Sequence, residues 1–214
     1  MPDKIKAPIA IEGLKITIPL AVLTILLFFA GWQIAGLILL AITVFMLFFF
    51  RDPDRAIPQG EGLVVSPADG KVVVIKDIHE KDYLQSKRKQ ISIFLSVFNV
   101  HVNRAPISGT IETVKYNPGK FHIAAVEKAS LENEQTAMVI ADGNRKILVK
   151  QIAGILARRI ICYAKQGNTI EIGSRYGLIC FGSRVDIFLP EDAEINVKLG
   201  DNVKGGRDII AILK

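Results

Sequence analysis

The feature that most constrains this fold is a 35-residue stretch, Ile16 to Phe50, that contains no Asp, Glu, Lys or Arg. As a single helix it would be about 52 Å long at about 1.5 Å per residue, whereas the hydrocarbon core of a bilayer measures roughly 30 Å. Gly31-Trp32-Gln33 lies near its middle and favours a break in the helix. The stretch therefore predicts a hydrophobic helical hairpin with arms at residues 16–30 and 34–50.

Positive residues flank the apolar stretch on both sides. Lys4, Lys6 and Lys15 precede it, and Arg51 and Arg55 follow it. Because positively charged flanks stay on the cytoplasmic side of a membrane, both ends of the hairpin are expected there. A cleaved signal peptide is the alternative interpretation, but its apolar core is only about 7–15 residues long. The sequence thus favours a protein held at the cell membrane, with its catalytic domain on the cytoplasmic side.

The composition changes after residue 52. Short apolar runs rich in β-branched residues, such as Leu63-Val64-Val65, alternate from there on with Gly, Pro, Asn and Asp. Many short strands at such a spacing are typical of a mainly β fold, either sandwich-like or barrel-like. We therefore predict two domains, a hairpin at residues 1–52 and a β-rich catalytic domain at 53–214, with one short helix at Ala124 to Asn133.

Charge and cysteine content limit the partners of the chain. It has 27 Lys and Arg residues against 21 Asp and Glu, a net charge of +6, and the two signs are interspersed. This pattern suits an anionic membrane surface, whereas nucleic-acid binding needs a basic patch or a recognisable motif. Cys162 and Cys180 lie in apolar surroundings without metal-ligand spacing. We therefore expect two free thiols, no metal site and no nucleic-acid partner.

Ser183 is the strongest candidate for chemistry. It follows Gly182 and lies between apolar runs at residues 178–180 and 185–189. Because Gly182 has no Cβ, the chain can adopt strained dihedral angles there and leave the preceding carbonyl open to attack by the Ser hydroxyl. A Gly-Ser turn between two strands is the structural alternative. The same Gly-Ser-Arg triplet occurs at 173–175, but in a polar turn that lacks the flanking apolar runs.

His101 and Asp69 are the candidate partners of Ser183. His101 follows an apolar run, and a neutral imidazole near pH 7 can take up a proton and return it. Asp69 lies in Pro67-Ala68-Asp69-Gly70, where a carboxylate can fix the tautomer of His101 and stabilise its cation. Taken alone, each residue also has a structural interpretation, as a hydrogen-bonded His at a strand end and as part of an ordinary β-turn.

Three segments carry a resemblance to a known family: Ser66-Pro67-Ala68-Asp69-Gly70, Asn99 to Arg104, and Phe181 to Asp186. Together with the apolar N-terminus, they resemble the short form of the phosphatidylserine decarboxylase proenzymes over nearly the whole chain. The resemblance implies self-cleavage between Gly182 and Ser183. The products would be a large chain, 1–182, and a small chain, 183–214, that stay together as a heterodimer.

The resemblance further implies that Ser183 is converted to a covalent pyruvoyl group, the cofactor of these enzymes. In the family, that group forms a Schiff base with the amine of phosphatidylserine in the membrane, and decarboxylation gives phosphatidylethanolamine and carbon dioxide. His101 and Asp69 are then catalytic, with His101 the base in maturation and the proton donor in turnover. Some relatives carry a second His three positions earlier, where this chain has Phe98, so a role of that first His is not transferred.

The sequence leaves rival functions and substrate contacts open. A membrane-anchored serine hydrolase using Asp69, His101 and Ser183 is the main alternative, although no Gly-x-Ser-x-Gly elbow surrounds Ser183. A non-catalytic β module held at the membrane is the second. The candidate contacts to a phosphate headgroup or to its surroundings are Lys120, His122, Arg104, Arg184, Glu132-Asn133-Glu134 and Arg158-Arg159.

Overall fold

The computed structural model describes residues 8–119, 133–154, 160–180 and 182–214. The chain divides into two compact units, Pro2–Asp54 and Arg55–Lys214. The first unit is helical and the second consists of β-strands. The predicted class, a mainly β protein with an N-terminal helical hairpin, is therefore confirmed.

The helical unit consists of α1 (Ile11–Phe29) and α2 (Gln33–Phe49). The helices are joined by a turn in which Gly31 has a φ of 79°, a left-handed conformation that favours glycine. At the open end, the Asp52 amide donates to the Pro8 carbonyl at 2.7 Å. Helix α1 is long and apolar enough to cross a membrane, by length and composition, and α2 is a shorter apolar helix.

The β unit contains fourteen strands within the described residues. They are β1 (Leu63–Val65), β2 (Gly70–Glu80), β3 (Ser86–Leu95), β4 (Val102–Arg104), β5 (Gly109–Asn117), β6 (Gln135–Asp142), β7 (Arg145–Ile152), β8 (Ile160–Cys162), β9 (Thr169–Ile170), β10 (Arg175–Ile179), β11 (Ser183–Pro190), β12 (Glu194–Ile195), β13 (Asn202–Val203) and β14 (Ile209–Ile212).

These strands form one large sheet and two small ones. The eight-stranded sheet has the order β13-β2-β3-β11-β7-β6-β5-β9, and the small sheets have the orders β1-β14-β12 and β4-β10-β8. Every strand pairing in the described part of the chain is antiparallel. Strand β11 lies in the interior of the large sheet, between β3 and β7.

Strand β11 is covered on both of its faces. Val185 and Ile187 belong to the main apolar core, whereas Phe188 packs in a second, smaller cluster. Because side chains alternate between the faces of a strand, Ser183 lies on the face of Val185, and Arg184 lies on the opposite face. The main core therefore sits on the Ser183 side of the large sheet. The predicted helix at Ala124 to Asn133 lies outside the described residues, apart from its last residue.

Candidate active site

Ser183 is the first residue of β11 and is completely buried. Across residues 8–119, 133–154, 160–180 and 182–214, no hydrogen-bond partner of its Oγ is found. A buried hydroxyl without a partner costs about 1–3 kcal/mol, because its bonds to water are lost and not replaced. Such an atom in a native fold calls for a functional explanation, and nucleophilic attack is chemistry that a hydroxyl in this position can do.

Gly182 has a φ of 61°, which places it in the left-handed region. A side chain is strained there, whereas glycine adopts this conformation without cost from a Cβ. Chain neighbours aside, a Cβ added at Gly182 would meet no atom within 4 Å in the described part of the chain. The requirement for glycine thus comes from the backbone dihedral and not from crowding. The sequence predicted an unusual backbone conformation at this residue, and the structure has one.

His101 is 1% exposed and directly precedes β4. Its Nδ1 lies 2.9 Å from the carbonyl oxygen of Asn99. Since a carbonyl oxygen can only accept, Nδ1 must carry the hydrogen, and in the neutral ring Nε2 is then the nitrogen that can take up a proton. The Asn99 side chain in turn accepts from the amide and hydroxyl of Ser96, at 2.8 and 2.7 Å. The loop before β4 therefore fixes the tautomer of His101.

Asp69 lies in the turn before β2 and is buried. Its Oδ2 accepts from Nη2 of Arg55 at 2.9 Å, and its Oδ1 accepts from the Gly205 amide at 2.8 Å. The carboxylate thus bonds to the segment before β1 and to the segment after β13. We expected Asp69 to set the tautomer of His101, but the described contact on Nδ1 of His101 is with the Asn99 carbonyl. That carbonyl is only two residues away in the same loop and lies within hydrogen-bond distance of the ring.

The segments that carry Asp69, His101 and Ser183 nevertheless meet at one end of the large sheet. Ser183 is paired with Leu95, the last residue of β3. On the other edge of β3, Phe94 is paired with Lys71, the second residue of β2, so Asp69 precedes β2 at the same end.

Two backbone bonds bring the His101 segment to the same place. The Arg104 amide donates to the Pro67 carbonyl at 2.9 Å, which joins β4 to the turn of Asp69. The Ile179 amide donates to the His101 carbonyl at 3.3 Å, which joins β4 to the segment leading to Gly182. The topology therefore gathers the predicted base, carboxylate and nucleophile segments, which are far apart in sequence.

Arg184 is not available as a phosphate ligand, in contrast to its interpretation as a candidate headgroup contact. It is 0% exposed, and its Nε and Nη2 donate to the two carboxylate oxygens of Asp186 at 2.6 and 3.2 Å. Nη2 also donates to Ser92 Oγ at 2.8 Å. Residues i and i+2 of a strand share a face, which is why the two charges meet. The sequence missed this pair, although opposite charges two apart in an apolar strand are a signal for it.

The other sequence-predicted contacts fall into two groups: Arg104, Asn133 and Glu134 are buried, and the rest lie outside the described residues. Arg104 is buried, and its Nη1 donates to the Gly173 carbonyl at 3.1 Å, so its described contact is structural. Phe98, in place of the second His, is 67% exposed. The candidates that lie outside the described residues are Lys120, His122, Glu132 and Arg158-Arg159.

Tyr176 and Cys162 both have pKa values raised by burial in the interior near β10. Burial holds the pKa of the Tyr176 phenol well above its usual value, and the neighbouring Cys162 contributes in the same direction. Burial also raises the pKa of the Cys162 thiol. Both groups therefore stay protonated at neutral pH, and neither Cys162 nor Cys180 is part of a disulfide, as predicted.

Fold and site together define a class of protein: a β-rich domain with an N-terminal apolar helical hairpin and a buried Ser that follows a left-handed Gly at the start of an interior strand. A His with a fixed tautomer and a buried carboxylate come to the same end of the sheet. The buried Ser hydroxyl, which directly follows a left-handed glycine, suits attack on the chain's own backbone.

The comparisons with known proteins agree with that class. The family model described as phosphatidylserine decarboxylase matches residues 42–211. The protein named phosphatidylserine decarboxylase proenzyme in Syntrophotalea carbinolica is 45% identical over 208 residues, 97% of each chain. The protein of that name in Ruegeria pomeroyi is 45% identical over 219 residues, covering 100% of this chain and 99% of its own. In Amoebophilus asiaticus the identity is 52% over 170 residues, 78% of this chain and 75% of the relative.

The chain belongs to the phosphatidylserine decarboxylase family. The family predicted from the sequence segments around Asp69, His101 and Ser183 is thereby confirmed.

Proposed function

We propose that the chain is a proenzyme that cuts itself between Gly182 and Ser183 and then decarboxylates phosphatidylserine to phosphatidylethanolamine and carbon dioxide. The observation that carries the proposal is Ser183: a buried hydroxyl, without a partner among the described residues, directly after a glycine at φ 61°. Family membership supplies the substrate. The relatives' names include the word proenzyme, which supports a processed mature form.

The cleavage uses atoms of the chain alone, followed by one water. Oγ of Ser183 attacks the carbonyl carbon of Gly182, the peptide C–N bond breaks, and an ester replaces it. A base then removes the Cα proton of residue 183, and the bond between its Cβ and Oγ breaks. The Oγ stays with Gly182, which leaves as a carboxylate. Hydrolysis of the resulting dehydroalanine releases ammonia and leaves a ketone, a pyruvoyl group, at the new N-terminus.

His101 is the base in this proposal. With the hydrogen on Nδ1 held by Asn99, Nε2 of the neutral ring is the site that accepts the Cα proton and can later return one. Asp69 acts indirectly in this proposal. Its described hydrogen bonds are to Arg55 and to the Gly205 amide, and it lies in the turn that contacts β4. We infer that it positions this end of the sheet and favours the imidazolium electrostatically.

The pyruvoyl group supplies an electron sink for the electrons left when the substrate carboxylate departs. The residues present fit such a group: the Ser183 hydroxyl from which it derives is buried away from bulk water, and none of the described residues beyond its chain neighbours crowds Gly182. His101 then delivers the proton that replaces the lost carboxylate. The mature protein is a heterodimer of residues 1–182 and 183–214, held together because β11 pairs with both β3 and β7.

The helical hairpin is proposed to hold the enzyme at the cell membrane, with the β unit on the cytoplasmic side. Its surface is apolar, with Phe29 87% and Ile34 77% exposed. Such a surface is stable in lipid and not in water. A membrane location suits a phospholipid substrate that stays in the bilayer.

The test is an assay of the purified protein with phosphatidylserine labelled in its carboxyl group. We expect release of labelled carbon dioxide and formation of phosphatidylethanolamine, both abolished by prior borohydride reduction of the ketone. The serine hydrolase alternative predicts free serine or fatty acid instead and no sensitivity to borohydride, and those results would contradict the proposal.

A further inference from the structure

Two buried amide side chains lie beside the proposed centre, and neither was predicted from the sequence. Asn103 is 0% exposed and Gln151 is 1% exposed. Nε2 of Gln151 donates to Oδ1 of Asn103 at 2.8 Å and approaches the Ile161 carbonyl at 3.5 Å. Because both of its described neighbours are acceptors, the nitrogen of the Gln151 amide must point toward them.

The Asn103–Gln151 bond connects the two sheets that carry the proposed catalytic residues. Asn103 lies on β4 and comes two residues after His101, which directly precedes that strand. Gln151 lies on β7 and is paired with Val185 of β11. It is therefore the diagonal neighbour of Ser183 on the same face, about 7–8 Å away and within reach of a long side chain.

Each amide keeps one unused hydrogen-bonding atom. Nδ2 of Asn103, a donor, and Oε1 of Gln151, an acceptor, are buried and have no partner among the described residues. Most buried side-chain polar atoms in native proteins are paired, so two orphans on one bonded pair call for an explanation. Their chemistry is complementary, one donor and one acceptor, next to the residue that would bear the ketone.

We propose that the Asn103–Gln151 pair recognises the amino-acid headgroup of the substrate, a deduction that rests on the proposed function. The Asn103 N–H donates to the α-carboxylate, and the Gln151 carbonyl accepts from the amino group. A substrate that lacks the carboxylate leaves the Asn103 donor buried and unpaired, which is the penalty that gives such sites their specificity.

A neutral donor suits decarboxylation better than a cation does. A cation would stabilise the carboxylate in the ground state and so oppose its loss, whereas an amide orients the group with a weaker bond. The buried cation next in sequence, Arg184, is turned to the opposite face of β11 and bound to Asp186. On the face of the sheet that carries Ser183, the nearby polar pair described above therefore consists of two neutral amides.

The experiment measures which amine reacts with residue 183, and not turnover. Purified mature protein in detergent micelles is incubated with phosphatidylserine or phosphatidylethanolamine plus cyanoborohydride, and the covalent adduct per small chain is quantified by mass spectrometry. In Asn103→Asp, Oδ1 still accepts from Gln151, but the donor becomes a second anionic oxygen. We expect the trapping ratio of serine lipid to ethanolamine lipid to fall by about tenfold or more.

Two further variants separate recognition from folding. Gln151→Leu removes the acceptor and the anchor of Asn103, and the ratio should fall as well. Gln90→Leu removes a buried glutamine that bonds to Ser92 and Asp186 on the other face of the sheet, and the ratio should stay within about twofold of wild type. Since the ratio is taken per mature chain, partial maturation does not affect it.

An unchanged ratio in Asn103→Asp and Gln151→Leu overturns the inference and leaves the proposed function intact. A fall of the same size in Gln90→Leu overturns it as well, because the effect would then not be specific to the pair. If the wild-type protein traps neither amine, the proposed function itself fails.

Discussion

The chain contains the same triplet, Gly-Ser-Arg, twice within twelve residues, and the two copies have opposite environments. At 173–175, Ser174 Oγ donates to the Glu171 carbonyl at 2.6 Å in a partly exposed turn. At 182–184, Ser183 is fully buried, and its hydroxyl has no partner among the described residues. Both glycines have positive φ, 75° and 61°. A glycine with positive φ therefore does not distinguish the two copies, whereas the environment of the hydroxyl does.

The third residue differs as well. Arg184 is locked into a buried ion pair on an interior strand, which holds the backbone next to Ser183 in place. A chain end frays unless it is tied down, and the proposed cleavage would make residue 183 such an end. The proposed reaction at Ser183 therefore combines two features that Ser174 lacks: a buried hydroxyl without a partner among the described residues, and a backbone held by a buried ion pair.

The largest expected effect comes from exchanging the two serines in turn for alanine. Ser183→Ala should leave a folded, uncut and inactive chain, because the attacking oxygen is gone. Ser174→Ala should still be cut and active. Chain lengths on a denaturing gel, with decarboxylation measured alongside, decide the matter; cutting in Ser183→Ala but not in Ser174→Ala would move the site by nine residues.

The next effect in size is the loss of the base. His101→Ala should slow self-cleavage by about 10²–10⁴-fold, the usual contribution of a positioned acid or base. Any cut fraction should decarboxylate poorly, since one imidazole serves both steps. The time course of chain cutting and the activity per small chain report the two effects separately. Wild-type rates for both would remove His101 from the mechanism.

Breaking the buried anchor should cost several kcal/mol of stability. Arg184→Met leaves Asp186 buried without its cation, and we expect a loss of about 3–5 kcal/mol, together with slower cutting. Arg145→Met breaks the half-exposed pair with Asp142, which has a similar distance of 2.7 Å, and should cost only about 0–1 kcal/mol. Equilibrium unfolding in a Ser183→Ala background measures both. Equal losses would show that the anchor is no stronger than a surface pair.

Removal of the hairpin tests whether the reactive triplet depends on the β unit alone. A variant that begins at Arg51 should still cut itself, because the strands and apolar core that hold Ser183 lie within Arg55–Lys214. Its activity should fall more on phosphatidylserine in bilayers than on short-chain or detergent-dispersed substrate. Failure of the variant to cut itself would tie the hairpin to folding.

The smallest effect concerns the two hydroxyls themselves. In a His101→Ala background that stays uncut, Ser174→Ala loses a hydrogen bond and should lower the free energy of unfolding by about 0.5–1.5 kcal/mol. Ser183→Ala removes an unpaired buried hydroxyl and should be neutral or raise it by about 1–3 kcal/mol. Denaturant unfolding gives both signs, and a clear loss for Ser183→Ala would mean that its hydroxyl is paired after all.

Local patterns in the sequence predicted the elements well. The break at Gly31 followed from the length of the uncharged stretch, and the β class followed from short runs of β-branched residues. Helix α1 begins at Ile11, earlier than the predicted arm at Ile16, because Glu12 and Lys15 are compatible with a first helical turn although they interrupt an apolar pattern.

The partners of the site residues could not be predicted in the same way. Asp69 bonds to Arg55 and Gly205, and Asn103 bonds to Gln151, across 14, 136 and 48 positions. Such contacts depend on strand order and register, which local periodicity does not specify. The Arg184–Asp186 pair was also missed, although its spacing alone places both charges on one face of a strand.

The central claim is that Ser183 is consumed to make the cofactor, and the mass of the purified protein tests it most directly. We predict two chains, residues 1–182 and 183–214. The small chain should be lighter than the unmodified peptide by one ammonia and resistant to Edman degradation until its ketone is reductively aminated. An intact 214-residue chain that is nevertheless active, or a small chain that begins with an ordinary serine, would contradict the account.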